Sequence, residues 1–129
     1  MFYGMSSLTT LNLSNFDTSN VMDMSAMFAD MSNLVTLDLS NFDTSNVTNA
    51  RYLFYLQDGD KSKDKLEKIY VNNDFNTANL VAFSEMFRNR KTLRGGNGSF
   101  LSDPLTADKS WLRIDDPTNS RPGYFTRKP

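Results

Sequence analysis

The sequence contains neither cysteine nor histidine in its 129 residues. The absence of cysteine excludes disulfide bonds, thiolate metal ligands and cysteine nucleophiles. The absence of histidine removes the commonest general base and the commonest metal ligand, so a Ser-His-Asp triad is impossible. Catalysis would have to rest on carboxylates, lysine, tyrosine or serine alone. We therefore expect a protein that is not an enzyme and that holds no cofactor or metal ion.

Neither sign of charge predominates, because 14 Lys and Arg residues face 15 Asp and Glu residues, giving a net charge of −1. This balance argues against electrostatic binding to nucleic acid or to an anionic membrane. No apolar run approaches the roughly 20 residues that a membrane span needs. The first residues also lack the basic start and long apolar centre of a signal peptide. We expect neither nucleic-acid binding nor membrane insertion.

What the sequence does contain is an internal repeat. Residues 8–21 (LTTLNLSNFDTSNV) and 34–47 (LVTLDLSNFDTSNV) are identical at 12 of 14 positions, with an offset of 26 residues. A degraded third copy starts at Leu66, after six extra residues in the polar loop before it, and one more residue enters near residues 73–74. A repeat period of 20–50 residues indicates a solenoid, a propeller or an array.

Each copy changes its apolar period internally. Leu11 and Leu13 alternate with polar residues, which predicts a short strand. The next apolar residues are Val21, Met24, Met27 and their equivalents in the other copies. They recur at intervals of three and four residues, which predicts an amphipathic helix. The Asp-Thr-Ser-Asn segment between these two patterns is rich in residues that cap helices. One such unit cannot bury its apolar face alone, so copies must stack.

The predicted fold is an α/β leucine-rich-repeat solenoid, with short parallel strands on one face, short helices on the other and a C-terminal β-type cap. The solenoid spans residues 1–92, as a partial repeat at 1–7 and repeats at 8–33, 34–65 and 66–92. Residues 93–129 are the expected cap, because a glycine-rich turn at 95–98 replaces the next strand. Residues 111–114 and 122–126 are two candidate cap strands. Trp111, Ile114, Tyr124 and Phe125 are expected to pack on the last repeat.

The unit LxxLxLSNFDTSNVxxMSxMF resembles the repeat of BspA-like leucine-rich-repeat surface proteins of bacteria, of the DUF285 type, and the Pro-Gly-Tyr-Phe-Thr ending is similar to the close of such arrays. The resemblance implies a secreted or cell-wall-attached protein that adheres to a host surface, a matrix protein or a glycan. It carries no site residues. Because the chain begins within a repeat and has no export or wall-sorting signal, we expect a C-terminal part of a longer array.

The expected ligand platform is the outward face of the predicted strands, which a solenoid presents as a continuous surface. By alternation this face carries three residues from each copy: Thr10, Asn12, Ser14, Thr36, Asp38, Ser40, Lys68, Tyr70 and Asn72. Hydroxyls and amides there suit a glycan or an extended peptide, and Tyr70 suits stacking. Two alternatives stay open: a solvated sheet face with no ligand, and a structural stalk or cap that displays another domain.

Several other patterns favour structural roles. The series Asp58, Asp60, Ser62 and Asp64 resembles a calcium loop, but Lys63 replaces its turn glycine and Ile69 its final glutamate. Residues 95–98 lack the Lys-Ser/Thr of a phosphate loop and are expected to reverse the chain.

A final expectation concerns association between copies of the chain. The exposed edge of the first repeat, beside Leu8, Leu11 and Leu13, is expected to permit a dimer, because a free strand edge invites pairing with another chain.

Overall fold

The first three strands begin at equivalent positions of successive repeats. In a computed structural model of the chain, which describes residues 9–13 and 16–128, the strands form one open parallel sheet in chain order. They are β1 (Thr10–Asn12), β2 (Thr36–Asp38), β3 (Lys68–Val71) and β4 (Thr126–Arg127). Leu11 pairs with Leu37, which pairs with Ile69, so the register confirms the repeat alignment through the degraded third copy.

Alternation along the strands directs one face into the core, as the sequence predicts. Leu37 and Ile69 are completely buried between half-buried neighbours in β2 and β3. Behind the sheet, the Phe54 ring lies between Phe28 and Phe87, with ring centroids 5.7 and 5.2 Å away. Stacking of equivalent side chains from successive repeats therefore builds the core, since no single repeat can cover its own apolar face.

The predicted helical layer is wrong. Opposite the sheet, residues 22–31, 48–56 and 81–89 form successive turns, which we call the turn layer, and the described residues contain no α-helix. The amide of Met27 donates to the carbonyl of Met24 at 3.2 Å, and the amide of Ala29 donates to that of Ala26 at 3.2 Å. These are three-residue steps, whereas an α-helix requires bonds across four residues.

The turn layer is held by backbone hydrogen bonds between repeats. The amides of Met24 and Ala26 donate to the carbonyls of Asn49 and Arg51, at 2.8 and 2.9 Å. The same pattern recurs at alternate residues through the next copy: Phe28–Leu53, Asp30–Tyr55, Ala50–Ala82, Tyr52–Ser84, Phe54–Met86 and Leu56–Arg88, donor first. Every such amide therefore points toward the C-terminal end of the solenoid, and every such carbonyl points toward its N-terminal end.

A left-handed residue recurs at one position of the turn layer. Ala26, Tyr52 and Glu85 occupy equivalent places in the three copies and have φ values of 54°, 59° and 56°. A right-handed helix cannot contain such a residue without breaking. This recurrent conformation turns alternate amides outward to the next repeat and is the local reason why the apolar spacing does not produce a helix.

Polar residues in register link the corners between the two layers. The Thr18 hydroxyl accepts from the Asp43 amide at 2.9 Å, and Thr44 accepts in the same way from Asn76 at 2.7 Å. The Asn46 side chain donates to the Ser19 carbonyl at 2.7 Å. The threonine and asparagine that recur in each copy therefore connect neighbouring repeats.

The C-terminal tail adds a fourth strand to the sheet and covers the last repeat. β4 pairs in parallel with β3, through Tyr70 with Thr126 and Val71 with Arg127. The Tyr124 ring lies 4.7 Å from that of Phe87, which extends the core stack. The predicted strand at 111–114 is wrong: Lys109–Trp111 is a 3-10 helix, and Ile114 makes only an isolated bridge to Phe125. The boundary between residues 92 and 93 stays a prediction.

The backbone of the glycine-rich turn is hydrogen-bonded to a buried carboxylate. Asp115 accepts from the amides of Asn97 and Ser99 at 2.9 and 3.0 Å, and it is 2% exposed. A Cβ atom on Gly95 would lie 2.1 Å from the carbonyl oxygen of Gly123 and 2.6 Å from the Asp115 side chain. Glycine is required at this position because two backbone segments approach each other there.

We expect Gly95→Ala to lower the free energy of unfolding by about 1–3 kcal/mol, because the new methyl group must displace backbone. Gly59→Ala is the matched control, since nothing lies within 4 Å of the position that its Cβ atom would take, and its stability should barely change. Urea unfolding followed by circular dichroism measures both variants. Equal midpoints for the two variants would contradict the close approach at residue 95.

Candidate functional site

The predicted strand face is assembled in register. Thr36 lies beside Lys68, and Asp38 lies beside Tyr70, which in turn pairs with Thr126 of β4. The Asn72 side chain donates to the carbonyl of Ser40 at 2.9 Å, so the two neighbouring copies also join just beyond the strands. The backbones of Thr10 and Asn12 continue the same rows. Their side chains, and Ser14, lie outside the described residues.

Burial divides this face into two parts. Thr36, Asp38, Lys68 and Tyr70 are half-buried, whereas Asn72 is exposed. Half-buried polar side chains in neighbouring rows keep each other in place and still present polar atoms to solvent. The central row, from Asp38 through Tyr70, is therefore the part of the strand face best suited to hold a ligand in a fixed geometry.

Lys128 crosses the strand face, and the sequence did not predict this. Its ammonium group forms an ion pair with Asp38 and lies 5.9 Å from the centroid of the Tyr70 ring. Its amide donates to the Val71 carbonyl at 2.8 Å, which anchors the residue just after β4. No repeat position corresponds to residue 128, so repeat alignment gives no signal for it.

The charge state of Asp38 follows from this contact. Partial burial raises the pKa of its carboxyl group, but hydrogen bonds from Lys128 and Ser40 outweigh burial and hold the pKa below its usual value. Asp38 is therefore an anion at neutral pH and Lys128 its counter-ion. The strand face presents a carboxylate, a phenol ring and an ammonium group side by side.

The carboxylates of the acidic loop after the second repeat do not form a cluster, because each pairs with a different basic residue. Asp58 pairs with Arg88, Asp60 with Lys63, and Asp64 with Arg90. Across residues 9–13 and 16–128, no group of three acidic residues is placed to hold a metal ion. The loop contains the 3-10 helix Asp58–Lys63, and its last carboxylate is a buried structural anchor.

A second polar cleft lies on the turn layer. Tyr52 and Tyr55 meet edge to face with centroids 5.4 Å apart, and Glu85 pairs with Arg88 beside them. Ala26 and Ala29 of the preceding copy form its other wall. The residues that line this cleft differ from copy to copy: they are alanine in the first copy, tyrosine in the second and charged in the third. Because the apolar spacing predicts a helix here, this variation did not indicate a cleft.

Short parallel strands in one unclosed sheet, with equivalent residues stacked at each level, fit a short repeat solenoid. The chain belongs to the family described as "Mycoplasma protein of unknown function, DUF285", whose sequence model matches residues 1–94. No curated protein and no solved structure matches the chain. No helix in the described part of the chain is long and apolar enough to cross a membrane.

Proposed function

We propose that this chain is a non-catalytic binding module of a bacterial surface protein and that it binds a host or matrix ligand, protein or glycan, through the strand face. The observation that carries the proposal is the central row, in which Asp38, Tyr70 and Lys128 meet on an open sheet. A carboxylate and an ammonium group offer hydrogen-bond acceptors and donors, and the phenol ring offers a stacking surface.

Copy-to-copy variation supports the same surface. The core leucines and the corner threonines recur because stacking requires them. Asp38 and Tyr70, by contrast, occupy equivalent positions and differ in chemistry. Residues that change while the scaffold stays constant are the ones free to serve recognition, as in other solenoids that bind along their strands.

An extracellular location is supported by the resemblance of the repeats to those of a known family. The long motif LSNFDTSNV, present twice, is similar to the repeats of BspA-like leucine-rich-repeat surface proteins. Secretion or attachment to the cell wall, and adhesion as the biological role, follow from that likeness. The absence of histidine and cysteine supports a role without catalysis.

The test is a screen of the protein against glycan and matrix-protein arrays, followed by titration of each ligand found. We expect Tyr70→Ala to weaken binding at least about tenfold, because buried interface tyrosines contribute disproportionately to affinity. Tyr52→Ala is the matched control, since Tyr52 is an exposed tyrosine on the opposite layer. Thermal melting of both variants shows whether the fold is intact.

Two outcomes would count against the strand face. Undiminished binding by Tyr70→Ala would show that the ligand lies elsewhere. Silence of the wild-type protein on every array would favour a structural stalk that displays another domain. Lys128→Ala should accompany Asp38→Ala in the titrations, because removal of Asp38 alone leaves a free ammonium group on the same face.

A further inference from the structure

The hydrogen-bond ladder of the turn layer ends on open donors. In the first two copies, alternate amides donate to the carbonyls of the next repeat. The equivalent amides of the third copy belong to Phe83, Glu85, Phe87 and Asn89. None of the four is hydrogen-bonded to another of the described residues. Of these four, Phe87 is completely buried, and Phe83 and Glu85 line a recess at the C-terminal end of the solenoid, where their amides are available as hydrogen-bond donors.

The sheet and the turn layer do not extend equally far toward the C-terminal end of the solenoid. The sheet has a fourth rung, since β4 pairs with β3. The turn layer has only three rungs within the described residues, and the tail does not supply the fourth. At the inner part of this end, Tyr124 packs on Phe87, which is completely buried. At the outer part, the third copy and the tail leave a recess beside Phe83 and Glu85.

This recess, which we call the edge cleft, has a volume of about 390 Å³. It is lined by Arg51, residues 81–85 and the tail residues Leu105, Ala107 and Asp108. Neighbouring extended segments that are joined by backbone hydrogen bonds lie about 4.8 Å apart. On the sheet side, β4 already occupies the position of a fourth strand. A single extended segment fits the geometry that remains.

The walls of the edge cleft define the chemistry of its occupant. Val81 is 79% exposed and Leu105 is 41% exposed, which leaves two apolar side chains at its rim. Glu85 pairs with Arg88, whereas Asp108 accepts hydrogen bonds from Ser110 and keeps its negative charge; the ammonium group of Lys109 lies beside the cleft as well, 5.8 Å from the centroid of the Phe83 ring. Arg51 forms no ion pair with any described residue. The cleft therefore combines free amide donors, apolar contacts and one available guanidinium group.

We infer that the edge cleft binds an extended, acidic segment of a partner protein as the missing rung of the turn layer. Carbonyl oxygens at alternate positions of that segment accept from the amides of Phe83 and Glu85. An apolar side chain of the segment packs between Val81 and Leu105, and a carboxylate pairs with Arg51. This is strand addition to an open ladder, in which backbone bonds give affinity and side chains give specificity. The site is separate from the strand face.

The probe is a synthetic peptide with the sequence of residues 80–89, acetylated and amidated at its ends. This segment already supplies carbonyls to the ladder of the second copy, and it carries apolar side chains, one glutamate and one arginine; the probe has glutamate in place of Arg88, which makes it acidic. Titration into the ¹⁵N-labelled protein should move the amide proton resonances of Phe83 and Glu85 downfield. Their hydrogen exchange should slow about tenfold, whereas the paired amides of Ala50 and Tyr52 should not change.

Two variants test the walls of the cleft. Arg51→Glu and Val81→Asp should each weaken peptide binding about tenfold or more, because they reverse a charge or place one in the apolar rim. Lys61→Glu and Met22→Asp are the matched controls, since they make the same changes at exposed positions elsewhere. Neither control should change the affinity.

The inference is overturned if the Phe83 and Glu85 resonances do not move at about 1 mM peptide, a concentration that detects even weak complexes. It is overturned equally if Arg51→Glu and Val81→Asp bind as well as the wild type. Shifts of these amides with protein concentration alone would make a second copy the occupant and would also contradict it. Loss of array binding by Tyr70→Ala concerns the strand face only, so the two proposals fail independently.

Discussion

Replacing Asp64 with alanine should lower the free energy of unfolding by about 3–5 kcal/mol, because it leaves a buried guanidinium group without its counter-ion. The Arg90 side chain is completely buried and that of Asp64 is 3% exposed, and their charged atoms lie 3.1 Å apart. Burial lowers the pKa of Arg90, and the Asp64 charge acts in the opposite direction. Arginine nevertheless stays protonated in proteins, so the unpaired charge cannot be relieved by losing a proton.

This ion pair also joins three parts of the chain. Arg90 donates to the carbonyl of Phe54 at 2.7 Å, in the second copy, and Asp64 accepts from the amide of Thr92 at 2.9 Å. The six-residue insertion before Leu66 is therefore fixed to the end of the third copy. Loss of either partner should loosen the insertion as well as the core around it.

Urea unfolding of three variants separates the ion pair from general surface effects. Arg121→Ala is the control, since its pair with Asp74 is solvent-exposed and should contribute only about 0–1 kcal/mol. A double variant, Arg90→Met with Asp64→Leu, should recover part of the loss, because apolar replacement removes both charges together. Recovery stays partial because the Phe54 carbonyl and the Thr92 amide lose their partners. A loss below about 1 kcal/mol for Asp64→Ala would refute this role.

The second large effect is expected at the centre of the aromatic stack. Phe54→Ala should lower the free energy of unfolding by about 3–5 kcal/mol, because it opens a cavity in a packed core. Phe54 is completely buried and contacts a ring of the copy before it and of the copy after it. The cavity therefore lies between repeats and should weaken their coupling.

Phe100→Ala is the matched control for Phe54→Ala. Phe100 is 52% exposed, and its ring contacts the Arg94 guanidinium rather than the core. Its removal should change the unfolding midpoint only slightly. Comparable losses for the two variants would mean that the stack does not carry the stability of the solenoid.

The strands, their register and the buried residues could be predicted from the sequence. Two near-identical copies fix the offset, and alternation at Leu37 and Leu39 fixes the buried face. The spacing of Met24, Met27 and Met31 likewise gave the correct buried side chains in the other layer. Periodicity reports which side chains are buried, and several backbone conformations satisfy the same spacing.

The turn layer could not be predicted because its hydrogen bonds are non-local. An amide such as that of Tyr52 bonds to the carbonyl of Ser84 in the next copy, and no local pattern distinguishes this from a bond within a helix. The left-handed backbone conformation is also rare for alanine, tyrosine and glutamate, so a single sequence gives no indication of it at these positions. Stacking of copies selects this conformation over the helix.

Only the part of the candidate site that lies within the repeats could be predicted from the sequence. Repeat alignment correctly placed Asp38 beside Tyr70, since both belong to repeats. It could not place Lys128, because the tail follows no period and its path depends on which edge of the sheet it joins. The same limit applies to Arg90, whose burial depends on an insertion found in one copy only.

Two parallel backbone ladders build this solenoid, and the ladder in the turn layer ends open. Scalar couplings across hydrogen bonds, measured by NMR between amide nitrogen and carbonyl carbon, test this central claim most directly. We expect couplings from Ala50 to Ala82, Tyr52 to Ser84 and Phe54 to Met86, and none from the amides of Phe83 and Glu85. Couplings across four residues within one copy, such as Phe54 to Ala50, would contradict the claim by showing a helix.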